Sequence, residues 1–303
     1  MKQLLTILLI VAVVGAASLA PAPVYYLDRA GSDSNDGLDA DKAWKTFGKF
    51  TSSATTGDTL YAKAGTYTEQ DGVSGAVFAP TSTSLTVIGY NTTTDTLDGT
   101  IGCVILDAGD ESLVSGMKTN YSSTVILFSA LYLRFTGGSS HGADLVANDD
   151  RVASFHGCRF DNNGGRGLYG DNYITVSDSQ ADNNTDRGLY LVSGGNVKNC
   201  VAYNNGHNGI RSPNATTDGC LIYENGDTQL WVSIAEQGIV TNCTIDGGGT
   251  KNGIEFGSGN QMLRVYNCII YDCDPYGALS PASPRSLARN NLYFSNTANT
   301  DGD

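Results

Sequence analysis

"NCVAYNNGHNGI" (residues 199–210) gathers a cysteine, a histidine and several asparagines within twelve positions. Such a stretch is either a cluster of metal or catalytic ligands, or one turn of something repetitive. Its neighbours decide. Segments of the same form begin "GCRFDNN" at 157, "DSQADNN" at 178, "GCLIYEN" at 219, "NCTIDGG" at 242, "NCIIYDC" at 267 and "NNLYFSN" at 290. Their second positions are Cys158, Ser179, Cys200, Cys220, Cys243, Cys268 and Asn291, spaced by 21, 21, 20, 23, 25 and 23 residues.

Other columns keep the same register. Five residues after the cysteine position stand Asn163, Asn184, Asn205 and Asn225, followed by Gly248, Cys273 and Asn296. Four or five further on come Gly167, Gly188, Gly209, Gln229, Gly253 and Gly277. Three before it lie Phe155, Val176, Val197, Thr217, Val240, Val265 and Ala288. A repeat of this length marks a solenoid, whose units bury their apolar faces only against one another. The apolar runs are short, rich in Val and Ile, and broken by Gly and Asn, so each unit reads as three short strands. Stacked coils place like residues above one another at roughly 4.7–4.9 Å. The asparagine column is then an amide ladder at a turn, where Asn also tolerates a left-handed backbone. The cysteines are small apolar core residues with free thiols. A zinc site needs paired Cys or His at short spacing, which is absent.

Bulk properties bound the function. The first twenty residues, "MKQLLTILLIVAVVGAASLA", have the charged start, apolar run and small-residue end of a secretory signal. Cleavage is expected between residues 17 and 22, giving a secreted, extracellular protein. The apolar run is shorter than the roughly 20 residues of a membrane span. The formal net charge of −13 argues against nucleic acid as a partner. It also repels polyanions at long range unless a cation bridges them.

These rungs resemble right-handed parallel β-helix proteins of the pectate-lyase-like superfamily. "YYLDRAGSDSNDGLDADKAWKTFGKF" (25–50) and "GDTLYAKAGTYTE" (57–69) are similar to the entry segment of secreted bacterial and phage members. The expected fold is therefore all-β: a right-handed parallel β-helix with three short strands per rung and an N-terminal capping helix. The expected division is a signal peptide at 1–20, a cap and first rung at 23–75, and the β-helix over 76–303. Trp44, Phe47 and Phe50 form one stripe of the capping helix, with Asp39 or Asp41 at its start. Asp33, Asp36, Asp39 and Asp41 read as a capping turn rather than a calcium loop. Early rungs are expected at 85–90, 103–108 and 124–128. No helix or amphipathic segment is expected after residue 296 to cover the far end of the coil, so either a partner covers it, self-association with a second copy of the chain being one candidate, or the natural protein continues further.

On a solenoid, chemistry sits on outward columns. One residue after the Val column lies the stripe His156, Ser177, Lys198, Asp218, Thr241, Tyr266 and Arg289, with Lys198 and Asp218 adjacent. The resemblance implies polysaccharide as partner and β-elimination on uronates as reaction, with Lys or Arg as base and acidic residues holding Ca2+. Lys198 or Arg211 is the candidate base, with Asp218 beside the former. Against that, an adjacent Asp holds a lysine charged, and Lys198–Asp218 then reads as an exposed ion pair. A second stripe, Tyr169, Tyr190, Arg211, Trp231 and Glu255, reads as a platform for sugar rings flanked by variable loops. A third holds Asp161 and Asp182, candidate calcium ligands, with Arg166 and Arg187 in the following turn to neutralise them in part. The rival reading is a non-catalytic adhesin or fibre-forming β-helix.

Overall fold

The computed structural model describes residues 22–70, 75–80, 84–91, 100–109, 113, 115–119, 127–145, 152–171, 173–232, 237–256, 262–279 and 287–300. The expected signal peptide and most of the strand expected at 124–128 lie outside them.

One turn of the coil shows the plan. Val152–His156 runs in a first sheet, Arg159–Asp161 in a second and Leu168–Gly170 in a third, before Ile174–Ser177 returns to the first. Each strand pairs in parallel with its equivalent one rung away, Phe155 with Val176, Phe160 with Ala181 and Leu168 with Leu189. Among the described residues the three sheets hold 11, 10 and 10 strands. The fold is the expected right-handed parallel β-helix, with little helix of any kind.

Strands of three to five residues need sharp turns, and left-handed residues make them. Between the first and second sheets stand Gly157, Asp178, Asn199, Gly219, Asn242, Asn267 and Asn290, all with φ between +51° and +65°. Between the second and third stand Asn162, Asn183, Asn204, Glu224, Asp272 and Ser295, with φ between +51° and +55°. This corrects the expectation that the ladder asparagines are themselves left-handed. The residue before each takes the turn, and the ladder residue points inward.

The ladder is continuous over four rungs. Asn163 Nδ2 donates to Asn184 Oδ1 at 2.8 Å, Asn184 to Asn205 at 2.8 Å, and Asn205 to Asn225 at 2.9 Å. Asn225 then donates to Gln229 Oε1 at 2.8 Å. Each amide also serves the backbone: Asn184 Oδ1 accepts from Asn163 N, and its Nδ2 donates to Phe160 O. All of these side chains are buried, so every bond replaces one that water no longer supplies. The ladder explains the glycine column beside it. A Cβ on Gly188 would stand 2.5 Å from Gly209 O and 2.8 Å from Asn205 Nδ2. It also explains why that column breaks at Gln229, whose amide ends the ladder.

The core is the stacked interior. Cys158, Cys200, Cys220, Cys243 and Cys268 are buried in one column, and all seven cysteines are free thiols. Where the column departs from cysteine, polar atoms are used: Ser179 Oγ donates to Ser177 O, and Asn291 Nδ2 donates to Val265 O. At the N-terminal side a short helix, Phe47–Ser53, buries Phe47 and Phe50 against Phe78, with ring centroids 5.0 and 6.3 Å apart. Its N-cap is Thr46, not Asp39 or Asp41. Asp33 holds that cap by accepting from Lys45 N, Thr46 N and Thr46 Oγ1. Asp39 caps a separate 3-10 turn, Ala40–Lys42. Trp44 precedes the helix and stacks on Tyr25. No described helix is long and apolar enough to cross a membrane.

Candidate functional site

On the third sheet, Tyr169, Tyr190, Arg211, Trp231 and Glu255 stand in one outward column, each paired with the next. The column is not a set of bare ring faces, as the sequence suggests. Tyr169 and Tyr190 stack on each other, centroids 5.3 Å apart. The Arg166 guanidinium lies 4.1 Å from the Tyr169 ring, and Arg211 lies 4.7 Å from Tyr190 and 3.9 Å from Trp231. Sheet pairing stacks the rings along the coil axis; Arg211 fills the interval between Tyr190 and Trp231, and Arg166 lies against both tyrosines.

Its charges are unevenly paired. Arg166 and Arg187 both contact Asp186, at 3.0 and 2.9 Å. Arg211 makes no ion pair with any described carboxylate, and its buried Nε has no hydrogen-bond partner. Over the rungs of Arg166, Arg187 and Arg211 one carboxylate, Asp186, makes the ion pairs, and Asp144 stands one rung before Tyr169 in the same column. Burial pushes the Arg211 guanidinium below its ordinary pKa, and the charges of Arg187 and Arg166 act in the same direction. Glu255, at the far end, accepts from Thr228 Oγ1 at 2.6 Å. His141 edges onto Tyr169 at 5.1 Å, and its Nδ1 accepts from the Arg166 backbone N–H.

On the second sheet, Asp161 and Asp182 are on adjacent rungs as expected, but both are fully buried. Their neutralising partners are Arg134 and Arg159, not Arg166 and Arg187. Arg134 donates to both oxygens of Asp161, and Arg159 to both of Asp182. Asn162, Gln180 and Asn183 donate to the same carboxylates. The sequence reading missed this because the arginines lie two residues before the Asp column, one rung back. A calcium ion does not fit here: its oxygen ligands are already engaged by cationic and amide donors. Among the described residues no three His, Cys, Asp or Glu are gathered for a metal.

On the first sheet, Lys198 and Asp218 are paired neighbours. The expected ion pair does not form. Asp218 Oδ1 turns to Thr241 Oγ1 at 2.8 Å and Asn242 Nδ2 at 2.7 Å, bonds that lower its pKa. Lys198 is left without an ion-pair partner among the described residues. One feature was not expected: His156 Nδ1 lies 3.0 Å from Ser177 Oγ and 3.2 Å from Asp178 Oδ2. The outer face of this sheet also carries a groove of about 540 Å³, whose wall includes Tyr173, Ser193 and Gly194 from the variable connections out of the third sheet.

The family described as "Right handed beta helix region" matches residues 168–301. Among solved structures, pectate lyase Pel9A is similar at 14% identity and a TM-score of 0.57, over 94% of this chain and 80% of that one. The A-module of Azotobacter vinelandii mannuronan C-5 epimerase AlgE4 is similar at 15% identity and 0.53, over 80% and 88%. The GH136 lacto-N-biosidase of Eubacterium ramulus gives 10% identity and 0.50, over 90% and 68%. No curated protein matches the sequence. These likenesses show the fold, a right-handed parallel β-helix.

Proposed function

We propose that this is an exported β-helix protein that binds an acidic polysaccharide along its third sheet. One observation carries the reading: Arg211 is held between Tyr190 and Trp231 with no carboxylate of its own. A guanidinium fork fixed by aromatic packing matches a planar carboxylate, and its geometry is set before the ligand arrives. The arginines of these three rungs offset the repulsion expected from a chain of net charge −13. Export rests on the N-terminal sequence. The fold is shared with proteins named as a pectate lyase, a mannuronan epimerase and a lacto-N-biosidase, which supports a glycan as ligand.

The test is retention on polygalacturonate, alginate and a neutral glucan in affinity electrophoresis. Binding to the acidic polymers alone, weakened by Arg211→Ala, is the expected result. Equal retention by all three, or none, overturns the reading.

A second reading is β-elimination with Arg211 as base. Its lowered pKa is the direction that proton abstraction requires. Elimination leaves a conjugated double bond absorbing at about 235 nm, which hydrolysis does not. A rise abolished by Arg211→Ala supports this reading. A rise abolished by Lys198→Ala instead moves the base to the first sheet.

A further inference from the structure

The first sheet carries a histidine that is oriented as a base. Nδ1 of His156 hydrogen-bonds with the Ser177 hydroxyl at 3.0 Å and lies 3.2 Å from the Asp178 carboxylate, within ion-pair distance. A carboxylate at that distance favours the tautomer with its proton on Nδ1, because a lone pair there would face negative charge. Ser177 Oγ is then an acceptor and not a nucleophile. Nε2 keeps its lone pair, makes no hydrogen bond among the described residues, and belongs to a ring that is 44% exposed.

The surroundings hold the ring in place. Tyr132 meets it edge-on at 5.7 Å. The Tyr132 ring also covers Gly157, where a Cβ would fall 2.5 Å from the aromatic carbon Cδ1. Asp178 is in turn held by Asn199 Nδ2 at 3.2 Å. The arrangement of oriented carboxylate, imidazole and free Nε2 is that of a general base.

Three absences among the described residues select the chemistry. No second free carboxylate stands near His156, so the acid–base pair of glycosidic hydrolysis is missing. No cation adjoins His156 to neutralise a uronate carboxylate, since the nearest on its column, Lys198, is two rungs away. Ser177 is not an activated nucleophile. What remains is water activated by an imidazole. Further along the same strand, Val152 and Ser154 line an uncharged cleft with Ser129 and Thr86 that suits the neutral part of a sugar.

We propose that His156, oriented by Asp178, is the general base of an ester-hydrolysing site that removes O-acyl groups from a polysaccharide. Nε2 takes a proton from water, and the water oxygen bonds to the acyl carbon while the carbonyl electron pair moves to oxygen. The tetrahedral carbon then expels the sugar oxygen, which takes the proton back from the imidazolium. The products are a carboxylic acid and a free sugar hydroxyl. This activity is separate from third-sheet binding and shares with it only the class of ligand.

The experiment measures acetate released from O-acetylated pectin, alginate and xylan by the full chain. It includes His156→Gly with and without free imidazole, Asp178→Asn, and Arg211→Ala. Release is expected from wild type, to fall at least about 100-fold in His156→Gly, and to return with added imidazole. Asp178→Asn should lower kcat with little change in KM, a pattern that lost stability alone does not give. Arg211→Ala should raise KM on acidic polymers only. Absence of release above the buffer rate on all three polymers overturns the proposal, as does release that survives His156→Gly. Retention of acidic polymer in the same preparations shows whether the third-sheet reading stands on its own.

Discussion

Arg134 grips Asp161 across one rung of the second sheet, with Nε 2.8 Å from Oδ1 and Nη2 2.6 Å from Oδ2. The carboxylate is fully buried while the guanidinium keeps 28% of its surface exposed. The charge is thus compensated from the solvent side, by a side chain that remains part-exposed.

Removing that carboxylate leaves Arg134 without its partner and deprives Arg159 of one of two. Asp161→Ala should destabilise the protein by about 3 kcal/mol, the low end for breaking a buried pair because the arginines are part-exposed. Urea denaturation measures it. Added calcium should not restore the loss. A change below about 1 kcal/mol would show that the pair is not structural.

Two asparagines one residue apart should behave oppositely. Asn205→Ala breaks the ladder at its middle and strands buried donors and acceptors, at a cost of about 2–4 kcal/mol. Asn204 is exposed and left-handed at φ +51°. Asn204→Gly should fall within about 0.5 kcal/mol of wild type, since glycine adopts that backbone freely. Paired thermal melts distinguish the two. Equal effects would contradict the division of labour between turn and ladder.

Binding at the third sheet should depend on the guanidinium and not on charge alone. Arg211→Lys keeps the charge but loses the planar fork between Tyr190 and Trp231, and should weaken acidic-polysaccharide binding about as much as Arg211→Ala. Rescue by lysine would reduce the site to a diffuse field. Affinity should also fall with added salt, measured by titration at two ionic strengths.

His141 gives the protein an acid-sensitive step. Burial lowers its pKa below the ordinary 6.5, with Arg166 acting in the same sense and Asp144 and Asp186 opposing. The unfolded chain therefore binds a proton that the folded chain does not. Stability is complete above pH 6.5 and falls as pH drops below it, until the folded pKa is reached. His141→Gln should flatten that slope in denaturation measured from pH 8 to 4. A slope unchanged by the substitution would assign it to carboxylates instead.

Much of this structure was legible because a solenoid repeats its evidence. Five cysteines in one column and four asparagines in another set the register, and Tyr169 through Glu255 fell into line once it was known. What could not be read were contacts between rungs at unequal positions. Arg134 reaches Asp161 from a different column, His156 reaches Asp178 around a turn, and Arg211 slides between rings that alignment alone presents as bare. Column membership follows from the period, whereas rotamers follow from packing that the period does not encode. Gln229 and Ser179, which look like lapses in the repeat, prove to be polar replacements with partners of their own.

The cysteine column has a consequence for how the chain matures. Burial pushes the Cys158 and Cys273 thiols up to about 12, so almost none is thiolate at neutral pH and an oxidant finds little to attack. Before folding, the same seven thiols are exposed at ordinary reactivity. In an oxidising medium the chain is therefore in a race, because a disulfide formed early cross-links thiols that the finished coil keeps free. Folding is its own protection. A thiol reagent should label Cys103, the one cysteine not fully buried, in the native protein, and all seven only once the coil has opened.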